Sequence, residues 1–284
     1  MNGFRRREFL LFAAAAGAPG LSRAAPPRIR LGVTDWDLRL TGRPEAVELA
    51  RRIGFDGLEV SLGAKPKDGR LPLDDTEAIQ RYRTAVTAHS IILASTCLDA
   101  LHTFYLKSDP LAPKLLGDAI RITAALGARA ILLPSFRNAA PATPAEYERV
   151  AALLAEHAPA ASKAGITLCL ENDLSAENNA RILDLCRSSA VKVYYDTGNS
   201  FNRGFDILAE IRWLGRDRIG QIHFKDGKSY LGEGKIDFSA VAQAITGIGF
   251  EGFVVFETPS PSGDVEADMR RNLAFVRKLF QLGA

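Results

Sequence analysis

From residue 28 onward, hydrophobic and polar positions repeat one unit: a short apolar run, a polar loop, then an amphipathic helix. The apolar runs are IRLGVTDW (29–36), GLEVSLG (57–63), IILASTCL (91–98), RAILLPSF (129–136), ITLCLEND (166–173), VKVYYDTG (191–198), IGQIHFKD (219–226) and GFVVFETP (252–259). Their length and β-rich composition predict eight strands alternating with eight helices. Helix starts are marked by Arg43-Pro44-Glu45, by Thr143-Pro144-Ala145-Glu146 and by Asp237-Phe238-Ser239. Gly54, Gly127, Gly165 and Gly249 mark helix ends. Strands that are apolar on both faces and separated by helices form a parallel sheet. Eight such units in about 260 residues are the size of a single (β/α)8 TIM barrel. A doubly wound sheet fits less well, because no GxGxxG loop follows the first strand. No Pro/Gly/Ser-rich linker interrupts the repeats, so one domain is expected over residues 25–284.

Residues 1–24 stand outside this pattern. Arg5, Arg6 and Arg7 precede an apolar stretch from Phe9 to Ala16, and small residues close the segment near Ser22-Arg23-Ala24. That order is expected of a signal peptide. Arg6-Arg7-Glu8-Phe9-Leu10 resembles the core of twin-arginine (Tat) export signals. The resemblance implies passage through the Tat machinery to the periplasm, with the protein already folded and its cofactor already inserted. The apolar stretch is too short to span a bilayer, so the mature protein is not expected to be membrane-embedded.

Composition adds little until the leader is separated. Hydrophobic residues make up 47% and charged residues 24%, which excludes disordered and collagen-like chains. The 36 basic and 33 acidic residues give a formal charge of +3. Arg5, Arg6, Arg7, Arg23 and Glu8 account for all of that excess, so the mature chain is neutral and carries no basic surface suited to nucleic acid. The three cysteines lack CxxC spacing. Cys97 and Cys169 fall in strands and Cys186 in a helix, which favours buried thiols and leaves a Cys169–Cys186 pair open.

Chemistry in a TIM barrel lies at the C-terminal strand ends, whose loops share one mouth. Glu171, Asp196, His223 and Glu257 close the last four apolar runs about one βα unit apart, at one height on neighbouring strands. Each alone reads as a loop residue, a helix cap or a hydrogen-bonded histidine. Three carboxylates and an imidazole that converge would repel when dry, and one divalent cation is the simplest way to hold them. An oxygen-rich set with one nitrogen suits Mn²⁺, Co²⁺ or Mg²⁺, and Zn²⁺ is also compatible. Trp36, Glu59, His102, Asn199 and Lys225 lie near the same mouth and are expected substrate contacts. Lys225 shares strand parity with His223, while Trp36 suits either stacking on a sugar or packing. Gly232-Glu233-Gly234 reads as a close approach to a ligand or as an ordinary turn.

At these residues the chain resembles the xylose isomerase-like TIM barrels of the sugar phosphate isomerase/epimerase superfamily, over essentially everything after the leader. The resemblance implies that Glu171, Asp196, His223 and Glu257 bind one divalent metal, and that Glu171 and Glu257 also act as acid and base on opposite faces of a sugar. Two departures matter. Asn199 stands where many members carry a histidine three residues after the aspartate. Only His89, His102, His157 and His223 are available, too few for the three-metal cluster of the related apurinic endonucleases. The implied reaction is removal of a proton next to a carbonyl, with the cation stabilising an enediolate. An isomerase or epimerase is expected, with a lyase or dehydratase on keto-sugars as alternative and a non-catalytic sugar-binding barrel as a third reading. Export favours an unphosphorylated sugar as substrate. Neither oligomeric state nor native metal follows from the sequence.

Overall fold

The computed structural model describes residues 29–282, so the expected leader lies outside the described residues. Eight parallel strands close into a barrel in chain order, and the last pairs with the first. They are β1 (Ile29–Thr34), β2 (Gly57–Ser61), β3 (Ile92–Cys97), β4 (Ala130–Ser135), β5 (Thr167–Asn172), β6 (Val191–Asp196), β7 (Ile219–Phe224) and β8 (Gly252–Phe256). Among the described residues the helices are α1 (Glu45–Ile53), α2 (Thr76–His89), α3 (Ala112–Leu126), α4 (Pro144–Lys163), α5 (Ala176–Cys186), α6 (Thr197–Asn202), α7 (Ile207–Arg218), α8 (Phe238–Gly247) and α9 (Val265–Leu279). The single (β/α)8 barrel expected from the pattern is therefore the fold, and none of these helices is long and apolar enough to cross a membrane.

Local signals act as the sequence implies. Thr143 and Glu146 form a reciprocal capping box that satisfies two free N–H groups at the start of α4. Gly54 and Gly127 end α1 and α3 in left-handed conformation, and Asp237 caps α8 through the Ala240 N–H. Two expectations need correction. The apolar runs overshoot the strands by one to three residues at their C-terminal ends, because those residues leave the ladder to enter the mouth loops. Among the described residues the α-helices number nine instead of eight, because Asp196 turns the chain straight into α6 by accepting the Asn199 N–H at 2.6 Å.

Side-chain alternation separates two cores. The larger lies between strands and helices, while Cys97, Leu132, Cys169, Tyr194, Phe253 and Val255 fill the barrel. Phe253 plugs the lower end, where a Cβ on Gly57 would fall 2.4 Å from its ring. All three cysteines are free and buried, which closes the alternative of a Cys169–Cys186 pair. Burial pushes the thiols of Cys169 and Cys186 up to about 12, far from reactive values.

Candidate metal centre

Inward parity carries the site upward from the barrel core. Cys169 and Glu171, Tyr194 and Asp196, Gln221 and His223, and Val255 and Glu257 are two residues apart, so the second of each pair stands one layer above the first. The ladder sets their heights: Asp196 is the register partner of His223, and the Glu257 N–H donates to the Phe224 carbonyl at 3.1 Å. Thr197 locks the joint between β6 and β7. Its hydroxyl lies 3.2 Å from the carbonyls of both His223 and Lys225 and accepts the Lys225 N–H.

One ligand atom from each of Glu171, Asp196, His223 and Glu257 lies within 4.8 Å of every other. The imidazole Nδ1 is 3.3 Å from Glu171, 3.6 Å from Glu257 and 3.8 Å from Asp196. Asp196 Oδ2 is buried and accepts no hydrogen bond, although Oδ1 caps α6. Burial pushes the Asp196 carboxyl well above its ordinary value, and the charges of Glu171 and Glu257 push the same way. Burial opposes a charge on His223, yet the nearby Glu171 and Glu59 outweigh it and push the imidazole well above its ordinary value. Burial would also raise Glu257, but His223 and Lys225 together hold it below the usual carboxylate range. The protein thus gathers more negative charge than its own cations neutralise, and an unsatisfied buried oxygen faces the cluster. Those observations fit a divalent cation, whose charge would stabilise the ionised form of Asp196 and take up its free oxygen.

Glu171 and Glu257 open onto a cavity of about 640 Å³, with Asp196 and His223 buried behind them. Of the expected contacts, Trp36, His102, Asn199 and Lys225 line it. Trp36 stands edge-on to His223 with ring centres 6.4 Å apart, and His102 stacks on Phe136. Asn199 donates to Glu171 Oε1 at 3.1 Å, and Lys225 Nζ reaches Glu257 Oε2 at 2.6 Å. Glu59 is a correction: it is fully buried and does not line the cavity, because its side chain turns under the cluster toward Ser95 and Tyr194. Of the two readings of Gly232-Glu233-Gly234, the ordinary turn is the one found: the N–H groups of Gly232 and Gly234, with those of Lys235 and Ile236, cradle the Asp226 carboxylate, and a Cβ on Gly234 would collide with it.

Several wall residues are not among those singled out from the sequence. Asp99, Tyr105, Phe136, Arg137 and Asp173 line the cavity from the segments that follow the strands. Phe136 closes the apolar run 129–136, and Asp99, Tyr105 and Arg137 lie beyond any run. Asp173 closes the run 166–173, two residues beyond Glu171. It holds the neighbouring loop by accepting the Arg137 N–H at 2.9 Å, at a residue whose φ of 53° is left-handed. The remaining histidines stay apart: His89 ends α2, and His157 in α4 bridges the carbonyls of Leu153 and Pro113. Among the described residues no second cluster with metal-ligand geometry accompanies the first.

A family model described as xylose isomerase-like TIM barrel matches residues 47–279. A 2-epi-5-epi-valiolone 7-phosphate 2-epimerase of Actinoplanes sp. is 29% identical over 202 residues, 70% of this chain and 73% of its own length. A ketose 3-epimerase of Arthrobacter globiformis is 28% identical over 269 residues, 84% of this chain and 86% of its own. Among solved structures, D-psicose 3-epimerase from Clostridium cellulolyticum with D-tagatose superposes with a TM-score of 0.75, at 21% identity, over 88% of this chain and 99% of that one. All three are named epimerases, and the elimination chemistry considered from the sequence gains no support from them.

Proposed function

The chain belongs to the xylose isomerase-like TIM barrel family, and from that premise we propose that it is a metal-dependent epimerase or isomerase of an unphosphorylated sugar. The observation that carries this reading is the convergence of Glu171, Asp196, His223 and Glu257 within 4.8 Å at the floor of the mouth. These four would hold one divalent ion, with Mn²⁺, Co²⁺ or Mg²⁺ suited to the oxygen-rich set. When bound, the ion supplies Lewis-acid polarisation of a sugar carbonyl and offsets the charge that builds up on it.

The remaining work falls to the chain. Glu171, oriented by the Asn199 amide, takes the proton from the carbon next to the carbonyl. Glu257, held by Lys225 on the opposite face of the same carbon, takes up a proton from solvent and delivers it there. Glu171 gives the abstracted proton back to solvent, so one C–H bond is broken on the first face, one is formed on the second, and the centre is inverted. Trp36 and Phe136 offer aromatic surfaces to the C–H faces of a sugar, while Asp99 and Asp173 offer carboxylates to its hydroxyls. Those two carboxylates also argue against a phosphorylated substrate, since Lys225 is already committed to Glu257 and, among the described residues that line the cavity, Arg137 is the remaining lysine or arginine to meet a dianion. The relatives divide on this point, one being named for a phosphate ester and one for a ketose. An export signal at residues 1–24, which we also propose, agrees with a free sugar met in the periplasm.

The test is incubation of the metal-loaded protein in D₂O with ketoses and 3-keto-glycosides, followed by NMR. Deuterium is expected at a carbon next to the carbonyl, with the sugar skeleton retained. Loss of water or of an aglycone would make the enzyme a lyase, and turnover of phosphosugars alone would overturn the choice of substrate.

A further inference from the structure

Glu59 is fully enclosed in the barrel beneath the cluster, and among the described residues no lysine or arginine is paired with it. A buried carboxylate without such a partner is costly unless hydrogen-bond donors surround it. Two are supplied: the Tyr194 hydroxyl donates to Oε2 at 2.6 Å, and the Ser95 hydroxyl donates to the same oxygen. That leaves Oε1 free, and it lies 3.4 Å from Nε2 of His223. Neither Oε1 nor Nε2 makes a regular hydrogen bond to any other group. The Tyr194 ring, 4.3 Å from the imidazole between centres, fixes the ring plane from below.

The two ring nitrogens therefore face different tasks. Nδ1 looks up at three carboxylates, and Nε2 looks down at one. We propose that Glu59 is a positioning residue that keeps a proton on Nε2 of His223 and so presents the Nδ1 lone pair to the metal. The opposite tautomer would set the Nε2 lone pair against a buried carboxylate and turn an N–H toward the ion. An anionic acceptor behind a ligating histidine also raises the basicity of the ligating nitrogen. Tyr194 and Ser95 serve this arrangement one step further back, by holding Oε2 so that Oε1 points at the ring.

The inference rests on reading the cluster as a metal site, and two measurements keep the claims apart. Calorimetric titration of the apoprotein with Mn²⁺ is expected to show Glu59→Ala binding 10- to 100-fold more weakly than the parent. Glu59→Gln, which keeps the shape and one acceptor oxygen, should lose less and covers the case in which the alanine variant fails to fold. Selective ¹⁵N-histidine NMR of the apoprotein and of the Zn²⁺-loaded protein is expected to show a slowly exchanging Nε2 proton on His223. That proton should shift upfield in Glu59→Ala. Parent-like metal affinity in folded Glu59→Ala would overturn the proposal, as would an unprotonated Nε2 or an Nε2 proton unmoved by the substitution. A parent that binds no divalent ion would instead overturn the metal reading, while the Nε2 proton would still decide what Glu59 does.

Discussion

Both halves of the barrel bring acids to the mouth, but they treat them differently. In the first half, Asp35 accepts N–H groups from Gly42 and Ser61, Asp37 accepts the Thr34 hydroxyl, and Asp99 accepts the Ser61 hydroxyl. Burial pushes Asp35 up to about 8 and Asp37 to about 7, and it raises Asp99 as well. Burial favours the neutral form of Asp35 and Asp37, and although Asp35 Oδ1 lacks a donor, among the described residues these three acids form no cluster with metal-ligand geometry. In the second half, Glu171, Asp196 and Glu257 crowd one imidazole and one ammonium, and a buried oxygen of Asp196 is left with no donor. Acids of one chemical kind thus become scaffold where each is held separately by backbone or hydroxyl donors, and prospective ligands where they converge on one point.

The sharpest way to break this comparison is to neutralise the second half. Glu171→Gln and Glu257→Gln should each lower kcat by about 10²- to 10⁴-fold, measured by solvent deuterium exchange, with little change in thermal midpoint. Parent-like exchange in both would remove the acid–base assignment. Lys225→Met should cost less, about tenfold in kcat, because Lys225 supports Glu257 through a charge-assisted hydrogen bond without itself carrying the proton from carbon. A loss as deep as that of Glu257→Gln would move Lys225 into the reaction.

Asp35→Asn addresses the first half, and its effect should appear in stability and leave turnover near the parent's. The folded carboxyl, pushed to about 8, holds a proton that the unfolded chain releases near 3.8. Stability is therefore lost as pH rises across that window and levels off above about 8. The asparagine, always neutral, lacks this slope, so the parent should fall relative to the variant by on the order of a few kcal/mol between pH 5 and 8. Urea denaturation at several pH values measures the difference. A constant gap would mean that Asp35 is ionised throughout.

The period-two parity of the last strands made the candidate ligands legible, since each residue that ends an apolar run lies two positions above a barrel-filling one. Strand number and barrel closure followed from the same repeats. What escaped depends on depth and on loops. Glu59 has the same parity as an accessible strand-end residue, and nothing local reveals that Ser95 and Tyr194, 36 and 135 residues away, draw it under the cluster. Arg137 and Tyr105 reach the cavity from loops whose course is set by contacts such as the one between Asp173 and the Arg137 N–H. Asp196 fulfils both readings its position offered, capping α6 through Oδ1 while it joins the cluster.

The order of strands around the barrel carries one last consequence. Glu171, Asp196, His223 and Glu257 stand on or just after four consecutive strands, β5 to β8, which pair with one another without help from β1. During refolding, that half-sheet would be able to capture the ion before β8 zips to β1, so a metal would template the ring and not merely report its closure.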